Sequence, residues 1–223
     1  MEKNFIFAKE NLSFDTVLVE KLHIEFDKIY QENTNNNNTH SNFLDLRNDD
    51  IIKIPLFFSL LSRIQKKFEL ITGHNDLCFE KLWLVSSSSN DTNKTILPYI
   101  PHIDKRRYLK AMVYLHDVNL EHGPIHLGQV KKNINIEQKR KRLPQDYKEK
   151  GLNTIEDKDL DGTLAPMLGK AGDVIFFDTN TPHKAGIIKD SYHRKVLRFD
   201  FERPNFNLKP SIINKIIKKL LKN

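Results

Sequence analysis

Apolar and polar positions repeat with two different periods along this chain, and the change falls near residue 74. From Phe14 to Tyr30, "FDTVLVEKLHIEFDKIY" puts Val17, Leu18, Leu22, Ile24, Phe26 and Ile29 at roughly helical spacing, with Ser13 placed as an N-cap. A polar low-complexity loop follows, "NTNNNNTHSN" from Asn33. The run "PLFFSLLSRIQKKFELIT" then predicts a second helix over 55–72, ended by Gly73 as C-cap.

Beyond that point the period drops to two. Strand-like segments start at Leu77, Arg107, Gly123, Gly162, Gly172 and His193, each bounded by Gly, Pro or Asp turns. A long charged stretch, "NIEQKRKRLPQDYKEKGLNTIEDKDLDG", interrupts them and reads as an insertion with some helix and loop. The end, from Pro210, reads as a short amphipathic helix with Ile212, Ile213, Ile216, Ile217, Leu220 and Leu221 on one stripe and lysines opposite. Helices followed by many short antiparallel strands predict an α+β chain built around a sandwich or barrel. The expected layout is one domain over 1–223: a helical part over about 1–74, a β core over about 75–205, and the terminal helix over about 210–222.

Composition narrows the class. With 39% hydrophobic and 29% charged residues, the chain has the make-up of a soluble globular protein. Its apolar runs are too short to span a bilayer, and the N-terminus lacks the small-residue cleavage site of a signal peptide. The single cysteine, Cys78, leaves no intrachain disulfide and suits a reducing compartment, so a cytoplasmic location is expected. The net charge of +7 is concentrated: residues 131–150 carry eight Lys or Arg against three acids, and the last fifteen residues carry five lysines and no side-chain acid. Neither patch interleaves aromatics, so nucleic acid is not the expected partner. For the terminal helix, packing on the barrel or on a neighbouring subunit is favoured over reversible docking on an anionic membrane.

The chemistry gathers around "PHIDKRRYLKAMVYLHDVNLEHGPIHL", residues 101–127, and "GDVIFFDTNTPHKAG", residues 172–186. His102 and Asp104, at i and i+2 of an extended segment, project to the same side. His183 completes a set of two imidazoles and one carboxylate. Such a set occupies one face of an octahedral Fe(II) and leaves the other face open. Arg194 follows His183 by eleven residues, with Arg198 on the same strand face, and a guanidinium at the mouth of a barrel can hold a carboxylate bidentately. Lys110, Met112 and Tyr114 share the parity of His102 and Asp104, which makes them candidate cavity residues. Lys110 and Tyr114 have groups that could help hold a cosubstrate. Trp83 and Lys81 are candidates for the same cavity. His116, His122 and His126 read as structural or surface residues, and His193 is turned away by its parity.

Taken together these motifs resemble the phytanoyl-CoA dioxygenase family of Fe(II)- and 2-oxoglutarate-dependent oxygenases. The resemblance runs from Pro101 to Pro204 and rests on His102-x-Asp104, "LKAMVYLHDVNLEHGPIHL", "GDVIFFDTNTPHKAG" and Arg194. After "GPIHL" the chain has "GQVKKN" where many relatives carry a Pro-Gly-Ser-His-like turn, a departure on the substrate side. The resemblance implies a double-stranded β-helix, a jelly-roll or cupin-like barrel. It implies His102, Asp104 and His183 as iron ligands, Arg194 on the C5 carboxylate of 2-oxoglutarate, and O2 as the further reactant. Halogenating relatives have a small residue in place of the aspartate, so the presence of Asp104 points to hydroxylation. Lys105, Arg106 and Arg107 directly follow the ligand pair, so the small-molecule substrate is expected to carry an anionic group: phosphate, phosphonate, carboxylate or a nucleotide sugar. The alternative is a barrel of the same fold that binds a ligand without turnover.

Overall fold

A computed structural model describes residues 7–11, 14–34, 43–89, 97–148, 150–204 and 206. Its frame is a mixed α/β arrangement with antiparallel sheets. Among the described residues there are nine strands: β1 (Phe7–Asn11), β2 (Phe43–Leu46), β3 (Cys78–Ser88), β4 (Leu109–Tyr114), β5 (Ile125–Leu127), β6 (Ala165–Pro166), β7 (Asp173–Asp178), β8 (His183–Ala185) and β9 (His193–Glu202). The helices are α1 (Thr16–Thr34), α2 (Asn48–Ile51), α3 (Pro55–Thr72) and α4 (Ile136–Lys141). Six strands form one sheet in the order β1-β7-β4-β9-β3-β2, and three form a second in the order β6-β5-β8.

The period-two pattern divides the large sheet into two faces. Leu82 and Leu84 of β3, Ala111 and Val113 of β4, Val174 and Phe176 of β7, and Leu197, Phe199 and Phe201 of β9 pack in one core with Leu22 and Phe26 of α1 and Phe57, Ile64 and Phe68 of α3. Phe68 meets Phe176 and Phe201 edge-on, at ring-centroid distances of 4.9 and 5.8 Å. The residues of opposite parity turn toward the small sheet. Met112, Tyr114, Ile175, Phe177 and Val196 close a second core with Ile125 and Leu127. The remainder of that face stays open as a cavity. The helices thus back the sheet, and their burial leaves the other face free for chemistry.

Helix α3 spans the predicted residues, and Gly73 ends it at φ 71° with its N–H donating to Glu69 O at 2.8 Å. Helix α1 begins later than the apolar pattern suggests. Its first turn is capped by Asp15, whose Oδ1 accepts from the Leu18 N–H at 2.6 Å, while Ser13 lies outside the described residues. Three strands were not anticipated: β1, β2 and the short β8 that begins at His183. β1 and β2 are the sheet's outer strands, each with a single neighbour, and neither "FAKEN" nor "FLDL" carries a distinctive apolar signature. The charged insertion contains α4 and a short 3-10 turn over Asp157–Asp159, as its mixed pattern implied. The expected terminal helix from Pro210 lies outside the described residues. No helix among the described residues is long and apolar enough to cross a membrane.

Candidate functional site

Three extended segments meet at one end of the cavity. His102 and His183 face each other across an antiparallel bridge and exchange both backbone bonds: His102 N–H donates to His183 O, and His183 N–H to His102 O, each at 3.0 Å. This pairing sets the imidazoles side by side, with centroids 4.4 Å apart. Phe177 of β7 packs on His183 at 5.4 Å. Asp104 enters two residues beyond His102, and its Oδ1 lies 3.8 Å from His183 Nε2. Donor atoms of all three residues fall within 4.8 Å of one another. Among the described residues, this is the one group of His, Cys, Asp or Glu side chains close enough to hold a metal ion.

The protonation states suit a metal. His102 Nδ1 sits 2.8 Å from Ile100 O, and His183 Nδ1 sits 2.9 Å from Thr181 O. A carbonyl only accepts, so each Nδ1 carries the proton and each Nε2 keeps its lone pair for a ligand. Burial drives both imidazoles toward the neutral form, and with the neighbouring His102 it takes His183 down to about 3. Burial alone would raise Asp104, but the Lys110 ammonium and the two imidazoles hold it well below the usual carboxylate range. Two neutral imidazoles and one carboxylate make a donor set suited to iron.

Lys110 stands inside this site. It is 5% exposed, and its Nζ donates to Asp104 Oδ2 at 2.6 Å. One carboxylate oxygen is therefore engaged by the ammonium while Oδ1 faces the histidines. The expectation that Lys110 faces the cavity holds in geometry, with Asp104 as its partner. Tyr114 is placed differently. It is fully buried, is not among the residues lining the cavity, and donates its hydroxyl to Met167 O at 2.7 Å. Gly169 presses on its ring, where an added Cβ would come within 2.8 Å of Tyr114 Cδ2. Even parity put Tyr114 on the correct face, but the second sheet covers that end of β4.

The cavity, of about 1110 Å3, contains the triad, Lys110, Met112, Arg194, Arg198, Trp83 and Lys81 in its walls. Its floor follows from the ladder register. Arg198 pairs with Trp83 on one side and Met112 on the other, and Asp200 pairs with Lys81 and Lys110. The two arginines differ in their partners. Arg198 donates through Nε and Nη2 to Asp200 at 2.9 and 3.0 Å, and Trp83 Nε1 donates to the same carboxylate at 2.8 Å. Arg194 is 5% exposed, and its Nε and Nη1 have no hydrogen-bond partner. A buried guanidinium left unpaired is costly, so this one is poised for a ligand carboxylate.

No sequence pattern marks the fastening behind the triad. Arg140 of α4 is 6% exposed and donates Nε to Asp104 O at 2.9 Å and Nη2 to Thr179 O at 3.0 Å. Its Nη1 reaches Glu137 Oε1 at 3.0 Å and also Asn180 Oδ1. Arg107 clamps Asp178, with Nη2 to Oδ2 at 2.6 Å, and the Tyr108 N–H donates to Thr179 Oγ1 at 2.8 Å. The 178–181 turn that delivers His183 is thus tied to the segment that delivers Asp104. Within "EQKRKR" the buried arginine looks like its exposed neighbours, so no local pattern could mark it. Replacing Arg140 by Met leaves the Asp104 and Thr179 carbonyls without this donor. Metal affinity is expected to fall about 10- to 100-fold, the usual effect of removing a group that orients a ligand. A Co(II) titration followed by absorbance checks this.

The remaining histidines among the described residues lie outside the cavity lining. His116 packs against His122 and His193 with tilted rings, each at 5.1 Å, and its Nε2 accepts from the Lys195 N–H at 3.1 Å. Burial takes His116 down to about 4, in keeping with a neutral structural ring. His126 holds Pro124 O through Nδ1 at 3.0 Å.

Residues 87–196 match the family model described as Phytanoyl-CoA dioxygenase (PhyH), a stretch that includes both triad histidines, Asp104 and Arg194. This stretch is therefore similar to the PhyH family, in agreement with the resemblance that the motifs carried. No curated protein matches it in sequence. Among solved structures it is similar to SnoN, a non-heme alpha ketoglutarate dependent epimerase from nogalamycin biosynthesis, at 17% identity and TM-score 0.59, over 90% of this chain and 78% of that one. AviO1 from Streptomyces viridochromogenes Tue57 superposes at TM-score 0.60 and 12% identity, over 93% and 94% of the two chains. HygX from Streptomyces hygroscopicus, with nickel and 2-oxoglutarate bound, superposes at TM-score 0.56 and 14% identity, over 91% and 84%. At such low identity these likenesses carry the fold.

Proposed function

We propose that this chain is a non-haem Fe(II)- and 2-oxoglutarate-dependent oxygenase that hydroxylates a small molecule. The observation that carries this reading is the pairing, in one cavity, of a two-histidine, one-carboxylate donor cluster with a buried arginine whose Nε and Nη1 lack partners. Overall, R–H, O2 and 2-oxoglutarate become R–OH, succinate and CO2, with one oxygen atom of O2 in each oxidised product. Iron supplies the oxygen activation when bound. The protein's own part is to present two Nε2 lone pairs and Asp104 Oδ1 to the metal, and to keep Asp104 ionised beside Lys110. Arg194 holds the distal carboxylate of 2-oxoglutarate, and the walls exclude bulk water. Arg198, occupied by Asp200, stiffens the wall and shapes the substrate side.

The proposed frame is a double-stranded β-helix. In support, the chain alternates between the sheets: β3 in the large one, the His102 bridge in the small one, β4 back in the large, β5 and β6 in the small, then β7, β8 and β9 in turn. The shared core of α1, α3 and the large sheet supports treating 1–223 as one catalytic unit. The substrate is expected to be anionic, since the cavity wall carries more ammonium and guanidinium groups than carboxylates. Similar folds include the epimerase SnoN and the carbocyclase SnoK, so the fold alone does not choose the outcome. Hydroxylation rests on Asp104. The test is succinate formation from 2-oxoglutarate by the purified protein with Fe(II) and ascorbate. Absence of both succinate and 2-oxoglutarate binding in the presence of Ni(II) overturns the reading.

A further inference from the structure

The triad and Arg194 account for only part of the cavity's charge. Lys110 is matched by Asp104, Arg198 by Asp200, and Arg106 by Glu202. Lys81, Lys105, Lys148 and Lys184 line the same cavity and have no ion-pair partner among the described residues. Two of these form one patch beside the metal carboxylate. Lys105 follows Asp104 directly, donates Nζ to Pro144 O at 2.7 Å, and lies 5.1 Å from the Tyr147 ring centroid. Lys148 is the next residue along that arm of the basic 131–150 segment. Lys184 follows His183 on β8.

The neighbouring wall holds a second unfilled group. Asn153 is 3% exposed and donates Nδ2 to Ile103 O at 2.9 Å, while its Oδ1 has no partner. This acceptor needs a donor, so it suits a hydroxyl or N–H of a ligand rather than its anionic oxygens. Ammonium groups are compact point charges that meet a tetrahedral oxyanion from any direction, whereas the planar fork of arginine grips a carboxylate or a phosphate bidentately. Here the free fork is Arg194 and the free point charges are lysines.

Building on the oxygenase reading, we infer that the substrate is a phosphorylated metabolite whose phosphate is gripped at the cavity rim by Lys105 and Lys148. The basic insertion is then a phosphate-holding arm and the departure after "GPIHL" belongs to a substrate side rebuilt around it. Lys184 and Lys81 extend the same positive field further along the wall, favouring substrates with more than one negative charge.

Trp83, the chain's only tryptophan, supplies the readout, because it stands in the cavity wall between Lys81 Nζ at 4.3 Å and Arg198 Cζ at 4.8 Å. The full chain is titrated with inorganic pyrophosphate while Trp83 fluorescence is followed. Saturable binding is expected, weakened about 10-fold or more in Lys105→Ala/Lys148→Ala, the loss of roughly 1.4 kcal/mol. Binding of 2-oxoglutarate with Ni(II) should be unchanged in that variant. A control, Lys132→Ala/Lys141→Ala, alters exposed lysines of the same segment outside the cavity lining and should bind pyrophosphate as the wild type does. The inference is overturned if wild type shows no saturable binding, if the rim variant binds as tightly, or if the control loses as much. It is equally overturned if Arg194→Gln loses as much, since the anion would then occupy the cosubstrate's place. Failure of the oxygenase reading is separate: it shows as no 2-oxoglutarate binding with Ni(II).

Discussion

Asp104→Ala is expected to abolish succinate formation and to weaken Co(II) binding by more than 10-fold. Even groups one step removed from a metal cost 10- to 100-fold when lost, and Asp104 is proposed to supply a donor atom directly. The same substitution has a second effect inside the site. Lys110, 5% exposed, loses the carboxylate 2.6 Å from its Nζ and becomes a largely buried charge without its partner. Because Asp104's side chain keeps 25% exposure, water can reach the gap, and the stability loss is expected to be about 1–3 kcal/mol rather than the full cost of a dry unpaired ion. Adding Lys110→Met should restore much of that stability without restoring metal binding. Urea unfolding and a Co(II) titration on the single and double variants separate the two effects. Wild-type Co(II) affinity in Asp104→Ala would remove the triad assignment.

The second large effect is expected at Arg194. A two-point guanidinium–carboxylate contact contributes about 1.5–3 kcal/mol as charge-assisted hydrogen bonds. Arg194→Gln should therefore raise the KM for 2-oxoglutarate roughly 10- to 150-fold. Arg194→Lys should recover only part, since an ammonium lacks the fork. Arg198→Gln should leave that KM nearly unchanged, because its Nε and Nη2 already serve Asp200. It should instead cost stability, since Asp200, 1% exposed, would keep only the Trp83 indole of these partners. A side-by-side 2-oxoglutarate titration decides the assignment. A larger KM defect in Arg198→Gln would exchange the two roles.

The elements and candidate residues that the sequence disclosed share a property: their signal is local. The helix over 55–72 shows its apolar stripe and its glycine stop, and the strand from His193 shows its alternation along its whole length. His102, Asp104, His183 and Arg194 were legible because chemistry dictates both their types and their spacing. What escaped depends on partners distant in sequence. β1 and β2 exist because β7 and β3 offer edges to pair with. Tyr114 had the right parity, but only the second sheet decides that its end of β4 is covered. Choosing between Arg194 and Arg198 required Asp200, which sits two residues from Arg198 yet acquires its meaning from Trp83, 117 residues earlier. Arg140 and Asn153 carry no spacing rule at all. Each is singled out by burial and by backbone carbonyls that the sequence does not display.

The fastening of Arg140 to the Asp104 carbonyl bears on how this molecule could diversify. The basic insertion supplies both a cavity wall and, through α4, the guanidinium that braces the two ligand-bearing segments. Loop exchange among relatives is the obvious way to alter what such a pocket accepts, yet here a transplanted loop lacking an arginine at this position takes the brace away with the old specificity. Chimeras that retain 136–142 and vary only 143–151 should stay metal-competent, whereas wholesale replacement should not. Selection on new substrates is thereby channelled into the outer arm, where change is cheap, and away from α4, where every new specificity would have to be reached through a weakened metal site.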